Sequence, residues 1–183
     1  MELRNKAYGE LELVLPREEH REQLENYLKE HFENNEYILH GDGGLSKIKN
    51  FDEWLHKIHN ESIKEKVPEG RVQATLYLAI RKSDNRIIGT IQIRHELNEY
   101  LLNIGGHIGD GVRPSERRKG YATEMIRLAL EKCKEIGLDK VLITCNKDNI
   151  GSRKSIQNNG GILENETLDE IGKELQRFWI ELK

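Results

Sequence analysis

What this sequence has little of narrows its function first. Only Cys133 and Cys145 are cysteines among 183 residues, so no disulfide framework staples the chain, and a reducing compartment is the default. There is no excess of positive charge. Lys and Arg number 29 against 32 Asp and Glu, a formal net charge of -3, which argues against a broadly basic nucleic-acid binder held by counterion release. No apolar run approaches the ~20 residues that cross a bilayer, so no membrane partner is expected. The opening stretch MELRNKAYGELELVL alternates charged and apolar residues, whereas a secretory signal follows a basic start with an apolar block. Internal repeats, low-complexity tracts and linkers are also lacking. What remains is one cytoplasmic domain over residues 1–183, with 36% hydrophobic and 33% charged residues, able to bury a core beneath a heavily solvated surface.

Periodicity supplies the elements. Residues 10–15 alternate polar and apolar side chains as a short strand does. Pro16 then opens a charged helical segment in which Leu24, Tyr27, Leu28, His31 and Phe32 share one stripe. HGDGG (residues 40–44) is too glycine-rich for regular structure, and a second helix is expected over residues 50–64, with Asn50 or Asp52 near its start. QATLYLAIRK (73–82), a turn at Ser83, Asp84 and Asn85, and RIIGTIQIR (86–94) read as a hairpin. NIGGHIGDGV (103–112) reads as another strand, although Gly105, Gly106, Gly109 and Gly111 are more glycines than packing alone requires. After Gly120, the positions Ala122, Met125, Ile126, Ala129, Leu130 and Cys133 form one helical face, and Gly137 sits where a C-terminal cap belongs. A buried strand KVLITC (140–145), a helix over 149–158, a strand over 161–166 and a closing strand RFWIELK complete the order. Strands dominate the first two thirds, and helix and strand alternate in the last. The fold class is therefore α+β, a mixed and mostly antiparallel sheet flanked by helices.

The stretch RRKGYA (117–122) places Arg117, Arg118 and Lys119 side by side ahead of a glycine and a strong helix. In isolation such a triplet reads as a solvated loop with Glu116 as an ordinary counter-charge. Its setting points elsewhere. First-turn amides have no intrahelical acceptor and carry the positive end of the helix dipole, so a basic loop running into a helix start suits a small anion such as phosphate. Gly120 permits close approach, and Ala122 keeps the next turn small.

This hexapeptide, together with Pro114 upstream and the order strand, motif, helix, strand, helix, resembles the acetyl-CoA motif of the GNAT superfamily of N-acetyltransferases, over roughly residues 73–183. The resemblance implies an acyl-CoA N-acyltransferase fold. Residues 1–70 would form the acceptor side, and residues 71–183 the hairpin, the acetyl-CoA core and the C-terminal strands. It implies acetyl-CoA as cosubstrate, with Arg117, Arg118, Lys119, Gly120, Tyr121, Ala122 and Thr123 around the pyrophosphate. The glycine-rich strand would splay from its neighbour so that the pantetheine arm lies along it, and a backbone N–H near Val112 would meet the developing oxyanion. NKDNIGS carries a second match, with Asn149 and Ser152 toward the pantetheine or the 3'-phosphate and Lys154 near phosphate charge. That motif then departs from the family. Its usual Tyr falls at Ile156 and its usual Phe at Gly161, so the residue that often protonates the departing thiolate in the family is missing; with a thiol pKa of about 8.5 an acid is helpful without being indispensable, and Ser155, Tyr121 or a water could substitute.

The implied reaction is direct attack of a primary amine, carried by a small molecule or a protein, on the thioester, with no covalent enzyme intermediate. The ammonium must first lose a proton, so a base is expected near the cleft. His95, Glu96, Glu99, His107 and Asp110 are the candidates at the strand ends. His107 comes first, because glycines nearby leave its ring room, and Glu96 second. Cys145 reads as a buried thiol. His56 and His59 have no third ligand, so no metal is assigned. The acceptor site should be roofed by residues 31–71, and a homodimer would use the C-terminal strands. The alternative is a non-catalytic CoA-binding or sensing module of the same fold.

Overall fold

A computed structural model describes residues 5–183; residues 1–4, part of the stretch judged not to be a secretory signal, lie outside it. Strand β1 (Leu11–Val14) leads through a single 3-10 turn into helix α1 (Arg21–Glu33), followed by α2 (Phe51–Glu61). Asn50 caps α2 by accepting from the backbone N–H of Asp52 at 2.9 Å and of Glu53 at 3.2 Å. Then come β2 (Ala74–Arg81), β3 (Arg86–Arg94) and β4 (Ile108–Val112). After these follow α3 (Tyr121–Glu135), β5 (Lys140–Asn146), α4 (Ile150–Asn158), β6 (Ile162–Leu168) and β7 (Glu174–Glu181). Among the described residues, no helix is long and apolar enough to cross a membrane.

The strands form two antiparallel sheets, ordered β1-β2-β3-β4 and β5-β7-β6. The first carries a core on each face. Leu76, Leu78, Ile80 and Ile87 pack with Leu24 and Tyr27 of α1 and Trp54 and Ile58 of α2. On the other face Ile88, Ile91 and Ile93 meet Met125, Ile126 and Ala129 of α3. The apolar stripe expected on α1 is therefore real at Leu24, Tyr27 and His31, which are buried, while Phe32 stays partly exposed.

One sequence expectation fails here. Residues 103–105 are not strand: Leu101–Gly105 is a short π-helical turn, and β4 begins only at Ile108. Gly106 makes the change of direction. Its φ of +66° is the left-handed region that glycine enters without a steric cost, and a Cβ there would stand 2.7 Å from the Leu142 carbonyl oxygen. The two sheets touch at this corner. His107 donates its backbone N–H to the Leu142 carbonyl at 2.7 Å, and its ring Nδ1 accepts the Leu142 N–H at 2.9 Å. Beyond this double clip, β4 pairs only with β3 and β5 only with β7, so facing edges of the two strands part.

Candidate active site

The parting of β4 from β5 leaves backbone groups available to a ligand. Hydrogen bonds in an antiparallel ladder alternate from residue to residue. Arg113 N–H reaches the Ile88 carbonyl at 2.8 Å, and the register pairs Val112 with Gly89 and Asp110 with Ile91. The N–H groups of Val112 and Asp110 therefore point away from β3, into the gap. The Val112 carbonyl on that same edge accepts Arg117 Nε at 3.1 Å.

The gap opens into a cavity of about 980 Å³, a volume in the range of small-molecule and cofactor sites. Tyr27 and His31 of α1, with residues 36 and 38–40, line one side; residues 110–112 line the middle; residues 149–152, with Lys154 and Ser155, line the other. Gly109 and Gly111 serve the fold at this point. Cβ atoms on them would come within 3.2 Å of Arg94 and 3.0 Å of the His40 carbonyl oxygen, and a Cβ on Gly41 would meet the Gly109 carbonyl oxygen at 2.2 Å. The HGDGG segment thus lies flat against β4, and glycines on both sides allow it.

At the cavity mouth the chain turns into α3. Arg118 has φ +61° and Gly120 φ +87°, and left-handed residues interspersed with ordinary ones turn successive N–H groups toward one concave side. Among the described residues, the amides of residues 118–123 have no protein acceptor; Glu124 N–H, on the Gly120 carbonyl at 3.2 Å, is the first of the helix to find one. These donors sit at the positive end of a helix of 15 residues, so the cradle favours an anion. Asn5 fastens its glycine by donating Nδ2 to the Gly120 carbonyl at 2.9 Å.

The cations of RRK are gathered mainly by the chain's own carboxylates. Glu116 is an internal hub, only 3% exposed. It accepts Arg81 at 3.0 Å, Arg86 at 2.9 Å and Lys119 at 2.8 Å. Burial pushes its carboxyl up, but the bonds from Lys119 and Arg81 outweigh that and leave it below its ordinary value. Arg117 spends both terminal nitrogens on Glu36, at 2.5 and 2.7 Å. Glu36 also accepts from Asn34 at 2.8 Å and lies 2.7 Å from His31 Nδ1. Hydrogen bonding from Arg117, working against partial burial, holds the Glu36 carboxyl down at about 2. Among the described residues Arg118 has no carboxylate partner.

The cavity brings together Val112, Arg117, Arg118, Gly120, Tyr121, Ala122, Asn149 and Ser152. Lys119 is turned to Glu116 instead, and Thr123 offers the cavity no side chain; its carbonyl accepts Asn159. Asn149 caps α4, its Oδ1 accepting Ser152 N–H at 3.1 Å. Tyr121 sends its hydroxyl to Glu10 at 2.9 Å, away from the gap. Ser155 donates its hydroxyl to the Gly151 carbonyl at 3.0 Å. Ile156 is fully buried in the core.

The two preferred bases are not in the cavity wall. His107 is buried and serves as the clip between the sheets; desolvation, helped by the Arg94 charge, pushes its pKa down to about 4. Glu96 is exposed outside the wall. Of the five candidates only Asp110 lines the cavity. It makes no hydrogen bond or ion pair among the described residues, and desolvation raises its pKa to about 6. Sequence reading also missed Tyr27 as a wall residue, and had His31 and Glu36 only within the span 31–71 expected to roof the acceptor, with no role for either. The helical stripe marked the first two as core, and nothing local signals that a loop glutamate meets an arginine 81 positions away.

Comparison with known proteins agrees with this architecture. A family model described as an acetyltransferase (GNAT) domain matches residues 10–162. The chain belongs to that family. No curated protein matches the GNAT chain in sequence. Solved structures share its fold at low identity. The ribosomal-protein-S5-alanine acetyltransferase from Vibrio fischeri superposes with a TM-score of 0.73 at 14% identity, over 96% of this chain and 95% of that one. A ribosomal L7/L12 alpha-N-protein acetyltransferase in complex with coenzyme A gives 0.70 at 15%, covering 97% of each. The spermidine/spermine N-acetyltransferase from Vibrio cholerae gives 0.64 at 17%, covering 94% of each.

Proposed function

We propose that this GNAT chain transfers an acetyl group from acetyl-CoA to a primary amine by direct attack. The observation that carries the reading is the array of acceptor-free amides over residues 118–123, at the mouth of a cavity that continues between two parted strands. That array fits a pyrophosphate, with Arg118 as the cation still available and the α3 dipole behind it. The outward N–H groups of Asp110 and Val112 would hold the pantetheine arm as an added strand and supply the donor for the oxyanion. Asn149 and Ser152 would flank it from the α4 side. Bound acetyl-CoA supplies an activated acyl group; the chain aligns it, excludes water and manages protons.

The acceptor is an amine of a small molecule or a protein, entering between α1 and residues 36–40. Similar folds described as acting on ribosomal proteins and on spermidine and spermine set the range to search. The test is calorimetric titration with acetyl-CoA, followed by CoA release with spermidine, free amino acids and peptides bearing N-terminal Ser or Ala. Micromolar acetyl-CoA binding with release on one amine is expected. Absence of acetyl-CoA binding would sink the proposal, and tight binding with no release on any amine would favour the sensing module.

A further inference from the structure

The missing proton donor at Ile156 and the clip role of His107 leave the proton of the reaction without a carrier. We infer that Asp110 is that carrier, its carboxylate taking the proton from the attacking amine and passing it to the departing sulfur. This rests on the reading of the cavity as an acetyl-transfer site.

The geometry singles it out. Asp110 stands in the middle of β4, at the cavity wall, between two glycines that add no side chain. Its own N–H points into the gap, so a thioester bound to that N–H or to that of Val112 lies one residue's reach from its carboxylate. The other acids of the wall are occupied: Glu36 by Arg117 and His31, Glu116 by Arg81, Arg86 and Lys119. Tyr27, His31, His40 and Arg117, the last paired with Glu36, share the cavity with Arg118 and Lys154. Cys145 of β5 lies close enough to interact electrostatically with Asp110. Among the described residues none of these is within hydrogen-bond or ion-pair distance of it. Burial brings the group to about 6, so at neutral pH it is ionised yet a better proton acceptor than an ordinary aspartate, and once protonated it can still donate to a thiolate with a pKa near about 8.5.

The acceptor ammonium first releases one proton to solvent. The neutral amine then forms the N–C bond while the C–S bond breaks, and the electron pair leaves on sulfur. The extra proton on nitrogen moves to Asp110 and from there to the thiolate. Amide and free thiol depart, and the carboxylate is regenerated.

The test compares the wild-type chain with Asp110→Asn. Calorimetry with CoA reads the site itself, and affinity within about threefold is expected, since the cradle is untouched. Failure of the wild type to bind CoA would overturn the acetyl-transfer reading, and this inference with it. The bound CoA thiol is then titrated by thiolate absorbance. Wild type should hold its pKa above that of free CoA, because an ionised carboxylate beside sulfur opposes the thiolate, and Asp110→Asn should bring it back. Single-turnover transfer to the fastest amine of the panel should fall by roughly 10²–10⁴-fold and lose the limb of its pH profile near pH 6. Asp110→Asn should melt higher than wild type at neutral pH, since an unpaired, half-buried and partly desolvated carboxylate is gone. An unshifted CoA thiol, or an Asp110→Asn rate within about threefold of wild type, would overturn the inference.

Discussion

Glu36→Gln puts the competition at the cavity mouth to a quantitative test. The Arg117 fork is closed on Glu36 by two short bonds, with side chains 40% and 29% exposed. An anion held by the same guanidinium would lie on the order of 6 Å from that carboxylate, where two unit charges repel by about 3 kcal/mol at an effective dielectric of 20. Solvent and salt at so open a site reduce this to about 1 kcal/mol. Removing the charge should then tighten acetyl-CoA binding about fivefold, since each 1.4 kcal/mol is tenfold. Glutamine keeps an oxygen for His31 but gives up the charge-assisted pair, so stability should drop by about 1 kcal/mol, or roughly 2–4 °C in Tm for a chain of this size. The sign with pH is fixed. Glu36 is depressed in the folded state to about 2, so its contribution is complete above the unfolded carboxyl value and is lost as pH falls toward 2. Calorimetry at low and high salt, with a thermal melt of each protein, reads both effects. If Glu36→Gln binds acetyl-CoA no more tightly than wild type while melting as a folded protein, Glu36 and the pyrophosphate do not contend for Arg117, and the reasoning fails.

Arg118→Ala removes the cation of the triplet that has no carboxylate partner, so acetyl-CoA affinity should fall about three- to tenfold while Tm stays within a degree or two; a matching loss of Tm would show that Arg118 serves the fold. Gly120→Ala forces a Cβ into a backbone at φ +87° and within 2.1 Å of Asn5 Oδ1, so about 2 kcal/mol of stability should be lost in denaturant unfolding, and an unchanged midpoint would contradict the geometry. His107, depressed to about 4, is neutral when folded. Its contribution is complete above about pH 6.5 and is lost as pH falls through about 4, worth up to about 3 kcal/mol. His107→Leu should remove that pH dependence and leave Leu142 N–H unpaired, at a cost of about 1–3 kcal/mol at neutral pH.

Much of the fold could be read from the chain because the signals are local. The RIIGTIQIR hairpin partner, the long face of α3, the Asn50 and Asn149 caps and the Gly137 stop each depend on residues within a turn or a strand of one another. The basic loop before a helix was legible for the same reason, since orphan amides and a dipole are properties of any helix start. What failed depended on distance. Residues 103–105 look like strand until Gly106 must pass the Leu142 backbone, and no periodicity encodes that encounter.

The catalytic candidates divide along the same line. A histidine among glycines looks free to act, but whether it faces solvent, ligand or the next sheet depends on what lies across from it, and here that is Leu142. The RRK cluster looked as if it awaited an external anion, but Glu36 and Glu116 already offset Arg117 and Lys119. The sequence by itself determined the α+β class, the position of the cradle and the kind of ligand its helix start prefers, because these follow from backbone chemistry and local pattern. Only the tertiary structure decided which carboxylates are paired and which is left alone in the gap. Pairing and desolvation are relations between segments far apart in the chain, and they exist only once the strands have parted and the loops have closed over them.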